Sequence, residues 1–339
     1  MEVEKVRINV VSDIDEKIWT SQSPNLEKSI LQVSFTRIPV PAEIYIVYGV
    51  YIEGFFNVDF ENLVFICPEP REIQKYSRMY LEQFGSVYAA DIPPYNKLAK
   101  FKASHPYLPW HVGLVLKDGR VVVNRNWEDF SLFQNRADDR ISIITSNKIL
   151  TKMQRKRLRF IRFLEFELGD QLVVYGKERN FLADKGAGLN RHKFHVALEN
   201  SISRDYWTEK LADPILMKNV VFYAGCPNFE QYFDKQVIEH LDLDNFDASL
   251  KIIKDRIGRP ISEQEETALE SNKKELMWEH SIYRLLLDLA SNYQKPIPER
   301  TGVTLKLNFV VNFFNRVLSV IRSIFMYRVF IPIYRFLFT

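Results

Sequence analysis

Cysteine is nearly absent: Cys67 and Cys226 are the only two in 339 residues. Two thiols make neither a disulfide framework nor a structural zinc site, and they fit a reducing compartment. The six histidines, His105, His111, His192, His195, His240 and His280, show no HxxxH or similar ligand spacing, so no metal centre is expected. Glycine is sparse at 12 residues, no Gly-rich phosphate loop occurs, and no Ser-His-Asp arrangement stands out. The opening "MEVEKVRINVV" lacks the basic-then-apolar layout of a secretory signal. Basic residues interrupt every long apolar run before ~18 residues, which argues against a transmembrane span. These absences predict a cytoplasmic protein with no internal repeat.

One further absence is local. From Leu305 to Thr339 there are five basic residues and no acidic ones, leaving 41 basic against 43 acidic residues in the remainder. The body is therefore near neutral at −2, and the basicity belongs to the tail. A nucleic-acid-binding body would carry a basic footprint, so nucleic acid is not an expected partner.

What is present is a large apolar fraction, 46% hydrophobic residues, enough for a sizeable core and more than one domain. Short β-branched and aromatic runs alternate with helical patterns. Strands are predicted over 5–12, 44–51, 62–67, 86–91, 141–146, 171–176, 193–199 and 219–224. Helices are predicted near 71–84, 151–168, 207–218, 244–257 and 262–291. Continuous apolar strands such as "KNVVFYAG" suit a parallel sheet covered on both faces, so the fold class is α/β. The Trp-, His- and Asp-rich stretch 101–139 reads as the junction between two doubly wound halves.

Two stretches carry chemistry. In "SNKILTKMQRKRLRFIRFLEFEL", a helical wheel puts Met153, Phe160, Ile161, Leu164 and Leu168 on one stripe with Arg157 at its centre. Lys152, Arg155, Lys156, Arg159 and Arg162 fall on the other side, where a solvated basic face accounts for them. An inward guanidinium must meet an anion, either a structural carboxylate or a ligand phosphate. In "FHVALENSISRDYWTEKL", an apolar strand ends on Glu199, Asn200 and Ser201, and Thr208 caps a helix that carries Glu209 and Lys210. Strand ends and helix N-termini of an α/β sheet favour anionic ligands. A carboxylate there suits a ribose diol and an ammonium suits a diphosphate, although Glu209 could instead complete the helix cap and Lys210 could snorkel. Pro214 predicts that this helix kinks or restarts at Asp213.

These residues also carry a resemblance. "KFHVALENSISRDYWTEKL", followed by "NVVFYAGCPNFEQYF", resembles the donor-binding motif of the α1,3/α1,4-fucosyltransferases, glycosyltransferase family 10. "LPWHVG", "ISIITSNK", the Arg157 helix and "VVYGK" occur in the order and rough spacing of that family, over about residues 60 to 260. The resemblance implies the GT-B arrangement, two Rossmann-like domains facing a cleft, with GDP-fucose on the second and the acceptor on the first. The domains expected are 1–139 for the acceptor, 140–293 for the GDP-sugar, a linker at 294–304 and a tail at 305–339. Carried over by position, Ser146, Asn147, Lys148, Arg157, Glu199, Asn200, Ser201, Tyr206, Glu209 and Lys210 are donor contacts. Arg157 and Lys210 would neutralise the diphosphate, Glu69 in "FICPEP" would be the general base, and Trp110 and His111 would line the acceptor cleft. The activity implied is inverting transfer of L-fucose to a hydroxyl of N-acetylglucosamine or glucose in a glycan, in surface polysaccharide or lipopolysaccharide synthesis. Alternatives are another GDP-sugar donor or a non-catalytic glycan-binding protein. No metal or other cofactor would be required, and a divalent ion would at most stimulate.

In the tail, Asn308, Asn312, Asn315, Arg316, Ser319, Arg322 and Ser323 share about 120° of a helical wheel, with Phe309, Phe313, Phe314, Val317 and Ile321 opposite. Residues 305–339 are therefore expected to form an amphipathic basic and aromatic helix on an anionic membrane surface, at the inner face of the membrane.

Overall fold

The structure is a computed structural model that describes residues 4–70, 73–117, 120–133, 138–147, 149, 151–176, 179–294 and 302–306. Continuous Val, Ile, Phe and Tyr runs form its strands, because strands buried on both faces have no need of polar alternation. In the first of two compact units, these are β1 (Val6–Val11), β2 (Leu31–Thr36), β3 (Ile44–Tyr48), β5 (Leu63–Ile66), β6 (Ser86–Ala89) and β7 (Phe101–Ala103), with β4 (Gly54–Phe56) outside the main sheet. The sheet order is β2-β1-β3-β5-β6-β7 and every pairing is parallel. Among the described residues the α-helices between them are short, α1 (Glu16–Ser21) and α2 (Arg78–Leu81). The helix expected over 71–84 is reduced to α2. Ahead of it, the Tyr76 hydroxyl donates to the Gly49 carbonyl at 2.9 Å and the Ser77 side chain caps α2. Those contacts tie 76–77 to the core in extended conformation.

The second unit comprises residues 110–280. An antiparallel pair, β8 (Leu114–Lys117) and β9 (Arg120–Val123), and α3 (Trp127–Ser131) precede β10 (Asp138–Ile144), α4 (Lys152–Leu168), β11 (Leu172–Tyr175) and α5 (Lys185–Leu189). Then follow β12 (His192–Leu198), α6 (Glu209–Leu216), β13 (Val220–Ala224), β14 (Ile238–His240), α7 (Phe246–Arg256) and α8 (Glu263–Met277). The sheet runs β11-β10-β12-β13-β14, again all parallel. The order reverses between β10 and β12, which is the switch point of a doubly wound sheet. The expected α/β class is therefore present, with one parallel sheet in each of the two units. Of the two outcomes expected at Pro214, a kink or a restart, the restart does not occur: α6 runs through it. At its sixth position, Pro214 forgoes only one hydrogen bond, and the buried face from Leu211 to Leu216 holds the helix together.

The chain then returns to the first unit. The helix expected over 262–291 ends at Met277, and α9 (Ile282–Ser291) buries Ile282, Tyr283, Leu285 and Leu286 with β1, β2 and β3 of the first unit. The last strand, β15 (Val303–Leu305), pairs antiparallel with β4, and Leu305 is 1% exposed in the first core. Domain limits thus differ from 139/140 and 293/294. Trp110, Val112, Trp127 and Phe130 belong to the core of the second unit, while α9 and β15 belong to the first. The start of the expected tail is a strand, and residues 307–339, with most of the expected linker, lie outside the described residues. Among the described residues no helix is long and apolar enough to cross a membrane.

Candidate functional site

At the switch point the carboxyl ends of β10 and β12 lie side by side, with Ile143 opposite Val196. The loops 145–147 and 199–201 leave from these ends. Between them, a pocket is lined by Thr145, Arg157, Lys185, His195, Glu209, Lys210 and Asp213, over a floor of strand residues. Crevices beyond strand ends at a switch point are where open α/β sheets bind ligands.

Arg157 reaches the pocket from the inward face of α4, as its wheel position predicts, and is 6% exposed. One guanidinium nitrogen donates to Asn200 Oδ1, while the buried Nε has no hydrogen-bond partner among the described residues. Burial lowers the guanidinium pKa, opposed by Glu199 and Glu209, but arginine stays charged. The arrangement is a desolvated cation that lacks an ideal anionic partner.

The N-terminus of α6 supplies the facing groups. Thr208 caps the helix, and its N–H and hydroxyl donate to Glu199 at 2.8–3.0 Å. Glu199 is fully buried, and burial raises its pKa against the pull of Lys210. It braces the start of α6 through Thr208. Gly225 permits this brace, since a Cβ there would lie 2.5 Å from Glu199 Cγ. The loop between Glu199 and Thr208 is clipped by Asp205 and Asn228, whose side chains bond each other at 2.7 Å while the Asp205 N–H donates to Asn228 at 2.9 Å. This holds Asp205 at φ +62° and turns Tyr206 and Trp207 inward.

Glu209 and Lys210 follow. Lys210 Nζ donates to Glu209 Oε1 at 3.0 Å and to the Thr208 hydroxyl at 3.2 Å, with Glu199 at 3.8 Å. Burial disfavours both charges. Even so, Lys210 and Lys185 hold the Glu209 carboxyl well below the usual range, and Glu209 and Glu199 raise the Lys210 ammonium. Lys185 Nζ lies 3.2 Å from Asp213 Oδ2 and 3.9 Å from Glu209. Asp213 Oδ1 also accepts the His111 N–H at 2.7 Å. The His111 ring sits 3.3 Å from Lys185 Nζ, and burial and that ammonium pull its pKa down to about 3.

Most of the residues singled out by sequence meet here. Arg157, Asn200, Glu209 and Lys210 form one network, and Tyr206 is buried in the same electrostatic neighbourhood as Arg157. Ser146 and Ser201 are half-buried and Asn147 is exposed on the two loops, none of them lining the pocket. Lys148 lies outside the described residues. Glu69 belongs to the first unit, half-buried and three residues past β5. Trp110 and His111 both belong to the unit that carries Arg157. Trp110 packs in its core 6.0 Å from Trp127 and from Phe130, and His111 joins the Lys185 and Glu209 network. Sequence reasoning missed Lys185 and Asp213. Asp213 was findable, being four residues after Glu209 on one helix face; Lys185 gave no local signal. Among the described residues no cluster of His, Cys, Asp and Glu could hold a metal ion.

Three crystal structures of alpha1,3-fucosyltransferase are similar to this chain at 14% identity. The form with GDP aligns over 86% of this chain and 91% of its own, and another structure over 86% and 93%, both with a TM-score of 0.48. The form with GDP-fucose aligns over 94% and 90% with a TM-score of 0.45. The family model "Glycosyltransferase family 10 (fucosyltransferase) C-term" matches residues 138–254, from the first residue of β10 into α7, and so spans the whole pocket. The matched segment is about a third of the chain and is the part that carries the pocket.

Proposed function

We propose that the protein transfers L-fucose from GDP-fucose, with inversion, to a hydroxyl of N-acetylglucosamine or glucose in a glycan. The observation that carries this reading is Arg157, a buried guanidinium whose Nε has no hydrogen-bond partner among the described residues, in a pocket shared with Lys210 at the switch point of the segment that the family 10 model matches. An anion entering there meets two desolvated cations, whose interactions are stronger than they would be in water. In the reaction, Glu69 takes the acceptor hydroxyl proton and the oxygen attacks the anomeric carbon. The bond to the diphosphate breaks, and its electron pair leaves with GDP. Arg157 and Lys210 stabilise that charge, while Glu209, kept ionised by its lysines, accepts from the ribose hydroxyls. Metal is not needed for these steps, because the cations of the chain meet the charge. The setting is the cytoplasmic face of a membrane, with residues 307–339 as anchor and surface polysaccharide or lipopolysaccharide as product.

Calorimetry with GDP and turnover with a panel of GDP-sugars test the reading. GDP should bind, GDP-fucose should be the donor consumed, and Arg157→Ala and Lys210→Ala should each weaken GDP by ~10-fold or more, the scale of a lost charge-assisted contact. Unchanged GDP affinity in both variants removes the diphosphate from this pocket. Turnover of a different GDP-sugar keeps the pocket and changes the donor, and binding without any turnover points to a glycan-binding protein.

A further inference from the structure

The side of α4 opposite Arg157 has a composition that its own fold does not explain. At 100° per residue, Lys152, Arg155, Arg159, Arg162 and Phe166 fall within about 80° of one another and form a stripe about 21 Å long. All five are exposed, and Phe166 is 87% exposed. The neighbouring cations are neutralised: Lys156 pairs with Asp244, Lys254 with Glu167 and Arg179 with Glu165. Among the described residues none of the four cations of the stripe has a carboxylate partner; Arg155 bonds only the Ile149 carbonyl, at 2.9 Å. Like charges three and four residues apart weaken a helix, and an aromatic ring held in water gains nothing for stability.

Both ends of the stripe carry exposed apolar side chains. Ile149 is 58% exposed just before the helix. Phe181 is 60% exposed, and the Arg179–Glu165 pair ties its loop beside the last turns of α4, near Phe166. A partner for this surface must be anionic and must also accept aromatic and aliphatic groups. A nucleic-acid duplex offers charge but no place for Phe166, Phe181 and Ile149 together. A bilayer interface offers both: cations lie against headgroups while aromatic and aliphatic side chains enter the acyl boundary. A straight stripe on one helix also suits a planar surface.

We propose that the outer face of α4 is a membrane contact of the 110–280 unit, with Lys152, Arg155, Arg159 and Arg162 on anionic lipid headgroups and Phe166 in the interface. It is separate from the tail and does not depend on which sugar is transferred.

The test uses the full chain and vesicles of phosphatidylcholine, with or without phosphatidylglycerol. In the variant Lys152→Gln, Arg155→Gln, Arg159→Gln, Arg162→Gln, partitioning onto the anionic vesicles should fall by at least ~10-fold, since each cation near such a surface is worth a factor of about five. GDP affinity and the thermal midpoint should stay at wild-type values. Because Cys67 and Cys226 are buried, Phe166→Cys gives one accessible thiol for an environment-sensitive dye. Its emission should shift to the blue on anionic vesicles and stay unchanged on neutral ones, a readout the tail does not control. Quadruple-variant binding within a factor of two of wild type, or a dye that reports water on anionic vesicles, overturns the proposal. So does a loss confined to heparin or duplex DNA with vesicle binding intact, which assigns the stripe to a polyanion.

Discussion

At the scale of residues, two side chains give direct tests. Glu69, assigned here as the base, should be the residue on which proton removal depends. Glu69→Gln should lower kcat by ~100-fold or more, the usual scale for a positioned acid or base, and leave GDP affinity unchanged by calorimetry. A variant transferring at nearly the wild-type rate means another group takes the proton. His195 is 4% exposed, bonded to the Ser142 hydroxyl at 2.8 Å, and its pKa is pulled down to about 3 by burial and then by Lys185. The unfolded chain binds a proton at this position below about pH 6.5 and the folded chain does not. Stability therefore falls as pH drops from 6.5 towards 3, by up to ~1.4 kcal/mol per pH unit from this group. His195→Gln should flatten the fall in thermal midpoint between pH 6.5 and 4.5; an unchanged slope assigns the loss to other groups. Arg157 was legible in sequence because one charge among apolar positions marks an inward face. The role of Glu199 was not, because its partner Thr208 lies nine residues away across a loop folded by Asp205 and Asn228.

At the scale of elements, β15 divides the C-terminal region differently from its composition. The charge asymmetry begins at Leu305, yet Leu305 is core and Lys306 exchanges hydrogen bonds with the Gln83 side chain at 2.9–3.0 Å. Truncation after Pro298 removes β15 along with the tail, exposing the site that Leu305 covers. Burying such a side chain is worth ~1.5–3 kcal/mol, so this truncation should lower the thermal midpoint by several degrees, at ~2–4 °C per kcal/mol for a domain of this size. Truncation after Lys306 should keep the midpoint and transfer to a soluble acceptor while weakening pelleting on anionic vesicles. Equal midpoints for the two truncations would deny β15 a stabilising role. A short strand such as β15 has no periodicity of its own to betray it; only pairing with β4, some 250 residues earlier, makes it one.

At the scale of the whole molecule, the two units repeat one plan, a parallel sheet whose order reverses beside its first strand. The sequence by itself determined the α/β class, eight of the parallel strands to within a few residues, the inward Arg157 and the cluster Asn200, Glu209 and Lys210. Those features rest on local period, on capping at Thr208 and on a contiguous motif. The tertiary structure alone decided that 110–139 pack with the second sheet, that α9 and β15 return to the first, and that Lys185 and Asp213 join the pocket. Each of those outcomes depends on contacts between residues far apart in the chain, such as Asp213 accepting the His111 N–H and Leu286 packing with β1. Such contacts leave no mark on spacing or composition, because a buried leucine or a paired lysine reads the same in sequence whichever partner it meets.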